Sequence, residues 1–189
     1  MSSHHIVREK QEPALLLLNI DGFDDELLGQ LLEWSPTVIT TPITAEQISA
    51  FGIKVDFIIT NELNQGLQSD IKLIPTGVIS ATNAAMHHLI NAGYTSVNVV
   101  TAEIILDELL AYADKINLVI FCKDQKIFPV KSGFSKWKPA GEDIFLLSSA
   151  TNLITEGLAV NSNARFLTQH DGFYTLWFDE PFVFIAEFI

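Results

Sequence analysis

Basic residues are scarce in this 189-residue chain: 11 Lys and Arg stand against 23 Asp and Glu, a formal charge of −12, and the only arginines are Arg8 and Arg165. A face that holds nucleic acid neutralises phosphates with clustered Lys and Arg. Nucleic acid is therefore excluded as a partner, and an anionic membrane surface is disfavoured on the same ground. Cysteine is scarcer still. Cys122 is alone and lies inside the apolar run Leu118–Cys122, so there is no disulfide and no cysteine-rich metal site, and it reads as a small core hydrophobe. No apolar run approaches the ~20 residues that span a bilayer. The opening "MSSHHIVREKQEP" lacks the apolar centre of a signal peptide. The expected location is the cytoplasm. Internal repeats and low-complexity segments are also missing.

What is present is a large apolar fraction, 48% of the residues, enough to build the core of one ordinary domain or two small ones. The first two thirds alternate short apolar runs with segments of helical period, the pattern of a parallel sheet covered by helices. Ala14–Ile20 is expected as a strand, followed by a helix capped by Asp24 with Leu27, Leu28, Leu31 and Leu32 on one stripe. Thr37–Thr40 is expected as a strand, Ala45–Phe51 as a helix capped by Thr44 and closed by Gly52, and Asp56–Thr60 as a strand. Ile71–Ile74, Ser96–Val100 and Leu118–Cys122 are further strands, with helices from Thr82 to Asn91 and from Ile104 to Ala113. After Lys126 the pattern changes to short runs separated by turn residues: Ile127–Val130, Ile144–Leu147, Leu153–Val160, Ala164–Thr168, Phe173–Phe178 and Phe182–Phe188. That reads as an antiparallel β-sandwich. The expected division is an α/β domain over residues 1–130 and a β domain over 131–189.

The stretch "IKVDFIITNELN", Ile53–Asn64, runs from a buried strand into short polar side chains at the point where a parallel sheet presents its loops. Thr60, Asn61, Glu62 and Asn64 are thus candidate ligand groups, weighed against a purely structural role as turn formers and caps. His87-His88 point in different directions on a helix and cannot jointly grip one ion; one is expected toward solvent and one against the sheet. Asp21, Asp24, Asp25 and Glu26 crowd a helix start, where negative charge opposes the dipole. Of the alternating aromatics near the end, Phe173, Phe178, Phe182 and Phe184 are expected in the sandwich core.

The order of parts resembles the thiamine pyrophosphokinase family. Gly52–Ile59 resembles the first half of that family's "G-I-x-P-D-x-I-I-G-D-x-D-S" signature, "TNLITEGLAV" at Thr151–Val160 resembles its "T-x-G-L-x-Y" segment, and "ATNAAMHHLINAGYTSVNVVTA" resembles its "K-D-x-T-D" helix and following strand. The resemblance implies a homodimer of two-domain subunits that moves a diphosphate from ATP to thiamine with Mg²⁺. It also implies site positions at Asp56, Glu62 and Asp107 for catalysis, and at Thr60, Asn61, Asn64, Thr82, Asn83, Tyr174 and Trp177 for ligand binding. No metal ligand is assigned.

The chain departs from the family where charge is needed. Thr41-Pro42-Ile43-Thr44-Ala45 replaces "A-D-G-G-A", Thr60-Asn61-Glu62-Leu63-Asn64 replaces "G-D-x-D-S", and Ile79-Ser80-Ala81-Thr82-Asn83 keeps only the threonine of "K-D-x-T-D". At Ile104–Glu108, where "G-G-R-x-D-H" would fall, only Asp107 corresponds. Mg²⁺ wants carboxylate oxygens beside the substrate phosphates, and phosphoryl chemistry wants cations on the transferred oxygens. The expected function is a thiamine pyrophosphokinase-like protein with weakened or lost transfer that binds thiamine or a nucleotide. The alternatives are an active kinase using Asp56, Glu62, Asp70 or Asp107 around Mg²⁺ and ATP, and a scaffold with no small ligand.

Overall fold

The computed structural model describes residues 12–62, 70–162 and 164–189, and the chain divides into two compact units, Met1–Leu118 and Val119–Ile189. The first unit runs β1 (Ala14–Leu17), α1 (Asp25–Leu32), β2 (Val38–Thr40), α2 (Pro42–Ser49), β3 (Phe57–Ile59), β4 (Lys72–Ile74), α3 (Ala81–Asn91), β5 (Ser96–Thr101), α4 (Leu106–Leu109) and a 3₁₀ turn over Leu110–Tyr112. Its strands lie in the order β5-β1-β2-β3-β4 and every pair is parallel. Leu15, Leu16 and Leu17 of β1 are buried with Ile39, Ile58, Val97 and Val99. Consecutive apolar residues are stable in β1 because both faces of this sheet are covered.

Three expected boundaries shift for local reasons. α2 begins at Pro42 under a Thr41 cap, not at Ala45 under Thr44, because proline's fixed φ and missing N–H suit a first helical position. Thr44 turns its hydroxyl to the Leu18 carbonyl instead, at 3.0 Å. α3 begins at Ala81, one residue before the expected Thr82, under Ser80, which accepts from the Asn83 N–H at 3.2 Å. The expected helix Ile104–Ala113 contracts to α4 and the 3₁₀ turn. Asp24 does cap α1, accepting from the Leu27 N–H at 2.8 Å.

The second unit contains β7 (Gln125–Val130), β8 (Phe134–Lys138), β9 (Asp143–Leu146), β10 (Ile154–Glu156), β11 (Leu158–Ser162), β12 (Arg165–Thr168), β13 (Gly172–Trp177) and β14 (Val183–Phe188); β6 (Asn117–Cys122) straddles the division and pairs with β7. These form one sheet in the order β11-β12-β9-β14-β7-β6 and a smaller one in the order β10-β13-β8, antiparallel throughout. Val130, Ile144, Leu158, Phe166, Val183 and Ile185 from the first meet Tyr174 and Leu176 from the second in one core. The chain thus has the expected fold class, α/β with a parallel sheet followed by an antiparallel sandwich.

Within that class the face assignments of β13 differ from expectation. Phe173 is 65% exposed while Tyr174 is buried; Phe178 is in the sandwich core as expected, Phe184 is buried but alternates along β14 with the core residues Val183 and Ile185 and so lies on the other face of its sheet, and Phe182 is half-buried. β8 was not expected at all. Its inward residues include Lys136 and Lys138, whose ammonium groups both meet the buried carboxylate of Glu187 on β14, Lys138 at 3.1 Å.

Beside this ion cluster the Tyr174 hydroxyl is buried and makes no hydrogen bond among the described residues. Burial, then the negative charge of Glu187, raise its pKa above the ordinary 10.0. A group whose folded pKa is raised holds its proton longer when folded, so its contribution is intact below pH ~10 and is lost as pH rises further. Tyr174→Phe is expected to change stability by less than ~1 kcal/mol at neutral pH, since it removes an unsatisfied polar atom. Urea titrations across pH 7 to 11, a span set around the phenol's ordinary pKa of ~10, should show a shallower alkaline decline in the variant.

Candidate functional site

In an open parallel sheet, ligands bind at the carboxyl ends of the strands, near the point where strand order reverses. Here the reversal lies between β1 and β5, and five loops converge on that edge. After β1, the Asn19 side chain accepts from the Asp21 N–H at 2.6 Å, and Asp21 accepts from the Gln47 side chain at 2.9 Å. After β2, Thr41 caps α2 and Ile43 stands 75% exposed.

The loop after β3 holds Thr60, Asn61 and Glu62. The strand ends at Ile59, so strand alternation does not extend to Glu62. Thr60 instead accepts the Glu62 N–H at 3.0 Å in a tight turn. Asn61 is tied to its own chain: its side-chain oxygen accepts from the backbone N–H of Thr76 and of Gly77, both at 2.9 Å, and one of its two amide N–H groups donates to the Gly77 carbonyl at 3.1 Å. The amide therefore ties the loop after β3 to the loop after β4, a task requiring a donor and acceptors at one side chain. A carboxylate could perform only the accepting half. Asn64 lies outside the described residues.

After β4, Val78 and Ile79 are exposed, and Ser80 both caps α3 and donates to the Glu108 carboxylate at 2.7 Å. Asn83 accepts from the Tyr112 hydroxyl at 2.7 Å, and the exposed His87 lies edge-on to the Tyr112 ring. Burial, then the Glu108 charge, raise the Tyr112 pKa, so this phenol stays a hydrogen-bond donor at neutral pH. Thr82 is buried beneath. After β5, Thr101 bonds Glu103 and Ile104 is exposed; Asp107 is exposed in the first turn of α4. Ser80, Asn83, Glu108 and Tyr112 form a polar link between α3 and α4, of which the sequence pointed only to Asn83. The signal available was the S-x-x-N cap spacing.

The structure does not bring all candidates together. Thr60, Asn61, Glu62, Thr82, Asn83 and Asp107 lie on elements that meet at the carboxyl edge. Asp56 lies at the opposite, amino edge, where it accepts the Val38 N–H at 2.9 Å and pairs with Lys54 at 3.4 Å. Tyr174 and Trp177 belong to the second unit and point to opposite faces of β13, one buried and one exposed. His88 packs on Phe57, with ring centroids 4.7 Å apart, and His87 faces outward, the division expected of that pair.

Cations are as informative as carboxylates. Of the lysines among the described residues of this unit, Lys54 and Lys115 precede strands and Lys72 opens β4, so all three lie at the amino edge. No arginine accompanies them among those residues. Also among the described residues, no three His, Cys, Asp or Glu side chains gather where they could hold a metal ion. Among the described residues the carboxyl edge gathers no carboxylate set suited to Mg²⁺: Asp24 caps α1, Asp21 takes Gln47, Glu108 takes Ser80, Asn61 is tied to the backbone, and the exposed Glu62 and Asp107 stand on separate loops. What the edge offers a ligand is exposed aliphatic surface from Ile43, Val78, Ile79 and Ile104 with scattered carboxylates.

No family model matches the sequence, and no curated protein matches it. Solved structures do. Against the thiamin pyrophosphokinase of Geobacillus thermodenitrificans the chain is 9% identical with a TM-score of 0.70, over 93% of this chain and 97% of that one. Against yeast thiamin pyrophosphokinase the identity is 12% and the TM-score 0.66, over 96% and 88% of the two chains. For the Candida albicans enzyme the values are 12% and 0.64, over 94% and 90%. At such identities the shared property is the fold, and the resemblance in motif order is borne out at that level. Among the described residues, no helix is long and apolar enough to cross a membrane.

Proposed function

We propose that this chain, which has the thiamin pyrophosphokinase fold, has weakened or lost diphosphate transfer and acts by binding thiamine or a nucleotide without turnover. One observation carries the reading: at the carboxyl edge the Asn61 amide is committed to Thr76 and Gly77, and among the described residues no Lys or Arg stands beside it. Positioning and charge neutralisation supply nearly all of the catalysis in phosphoryl transfer. An edge of aliphatics and isolated carboxylates does not offset charge on the transferred oxygens of a triphosphate. A flat heteroaromatic ring, by contrast, can lie against exposed Ile43, Val78, Ile79 and Ile104.

Calorimetry with thiamine, ATP and Mg²⁺, added separately and together, tests this. A ligand that binds only the folded state raises its stability by mass action. The expected result is a shift with thiamine or with ATP that Mg²⁺ leaves unchanged. A shift with ATP that requires Mg²⁺ contradicts the proposal, as does the absence of any shift.

A further inference from the structure

One end of the sandwich interior gathers charge that packing alone does not call for. Glu187 lies opposite Lys126 of β7, and Tyr174 opposite Lys136 of β8. Directly opposed residues of an antiparallel pair share a face, so Lys126 and Tyr174 face inward along with Glu187, Lys136 and Lys138. Three lysines thus meet one carboxylate in a chain whose formal charge is −12. Lys126 is half-buried, and among the described residues no carboxylate pairs with it.

Hydrogen bonding around Glu187 is unfinished. Its Oε1 accepts from Lys136. Its Oε2 accepts no hydrogen bond among the described residues, although the Lys138 ammonium lies 3.1 Å away. The Tyr174 hydroxyl is in the same position, on a side chain 1% exposed. Buried polar groups are seldom left so. One acceptor, Glu187 Oε2, and donors on Tyr174, Lys126 and Lys138 remain to be met by a group that both accepts and donates.

We propose that this end of the sandwich binds inorganic phosphate, whose unprotonated oxygens accept from Lys126, Lys138 and Tyr174 while its P–OH donates to Glu187 Oε2. The site lies wholly in the second unit and does not rest on the functional reading above. Glu187 sets the specificity. An ionised carboxylate only accepts, so it repels a ligand that brings no proton. Free phosphate keeps at least one proton at neutral pH, and sulfate keeps none. A phosphate monoester loses its last proton near pH ~6. Asp124, Glu142 and Asp171 stand in the turns at this end, so a polyphosphate reaching outward would meet carboxylates where a single ion does not. Gly172 lies opposite Lys138, and the exposed His170 imidazole takes the room that a side chain there would fill. Entry therefore requires the rotation of one surface ring, not the parting of strands.

Isothermal titration of the full chain at neutral pH and fixed ionic strength, with inorganic phosphate, sulfate and methyl phosphate as probes, tests the site. Phosphate should bind once per chain with a dissociation constant of ~1 mM or tighter, and the other two at least ~tenfold more weakly. Lys126→Gln and Tyr174→Phe each remove one donor, and each should weaken phosphate about tenfold. Neither donor is paired within the chain, so near-ultraviolet spectra should be unchanged and show that both variants keep the fold. Absence of phosphate binding overturns the proposal. So does sulfate or methyl phosphate binding as tightly as phosphate, or phosphate binding that neither variant weakens.

Discussion

The double substitution K136A/K138A is expected to cost about 3 kcal/mol of stability, because it strips both counterions from a carboxylate that has no other way to be solvated. The Glu187 side chain is 5% exposed and is held between Lys136 and Lys138. The two lysines come from one sheet and the glutamate from the other, so the cluster ties the sandwich across its core. Removing one side of a buried pair usually costs ~3–5 kcal/mol. The lower figure applies here because the Lys136 side chain is 34% exposed and already shares its charge with solvent and with the Phe128 ring. Replacing all three charges by apolar residues, as in K136M/K138M/E187L, should be close to neutral, since a buried ion pair seldom outweighs well-packed hydrophobes. Urea unfolding at neutral pH measures both.

Gly157→Ala should be nearly as damaging, at about 3 kcal/mol, for reasons of backbone alone. Gly157 has φ of 73°, and a Cβ there would lie 2.7 Å from the Phe173 carbonyl oxygen. A left-handed non-glycine residue costs on the order of 1–3 kcal/mol by itself, and the clash is with backbone of the neighbouring strand. The position matters because the chain changes sheets there: β10 pairs with β13 in the smaller sheet, and β11 with β12 in the larger. A thermal melt of the variant measures the loss.

These two positions also mark where the sequence could and could not be read. The parallel half was legible because its apolar runs and helical stripes alternate without interruption, and Asp24 announces α1 by type and spacing. In the second unit, β8 reads "FSKWK", and its inward lysines hide the alternation. Only a buried glutamate some fifty residues later, Glu187, makes those lysines inward residues. Leu153–Val160 reads as one run because a glycine that switches sheets looks the same as one inside a strand. β13 is aromatic on both faces, so period alone could not decide between Phe173 and Tyr174.

The candidate site was legible in place but not in use. Strand ends and short polar residues located Thr60–Glu62 at the carboxyl edge. That Asn61 spends its amide on Thr76 and Gly77 is a tertiary fact, set by the pairing of β3 with β4. Asp56 shows the converse: a motif match placed it in the site, yet strand direction sends it to the amino edge. The polar link of Ser80, Glu108, Asn83 and Tyr112 went unread because its members come from separate elements and no residue in it is chemically unusual.

The loss of charge at the carboxyl edge is the claim on which the functional reading turns. The most direct measurement is the rate of thiamine diphosphate formation by the purified full chain supplied with thiamine, ATP and Mg²⁺, followed by separation and fluorescence of the product. The account predicts a rate indistinguishable from that of a protein-free control. Sustained, Mg²⁺-dependent turnover proportional to protein concentration would contradict it.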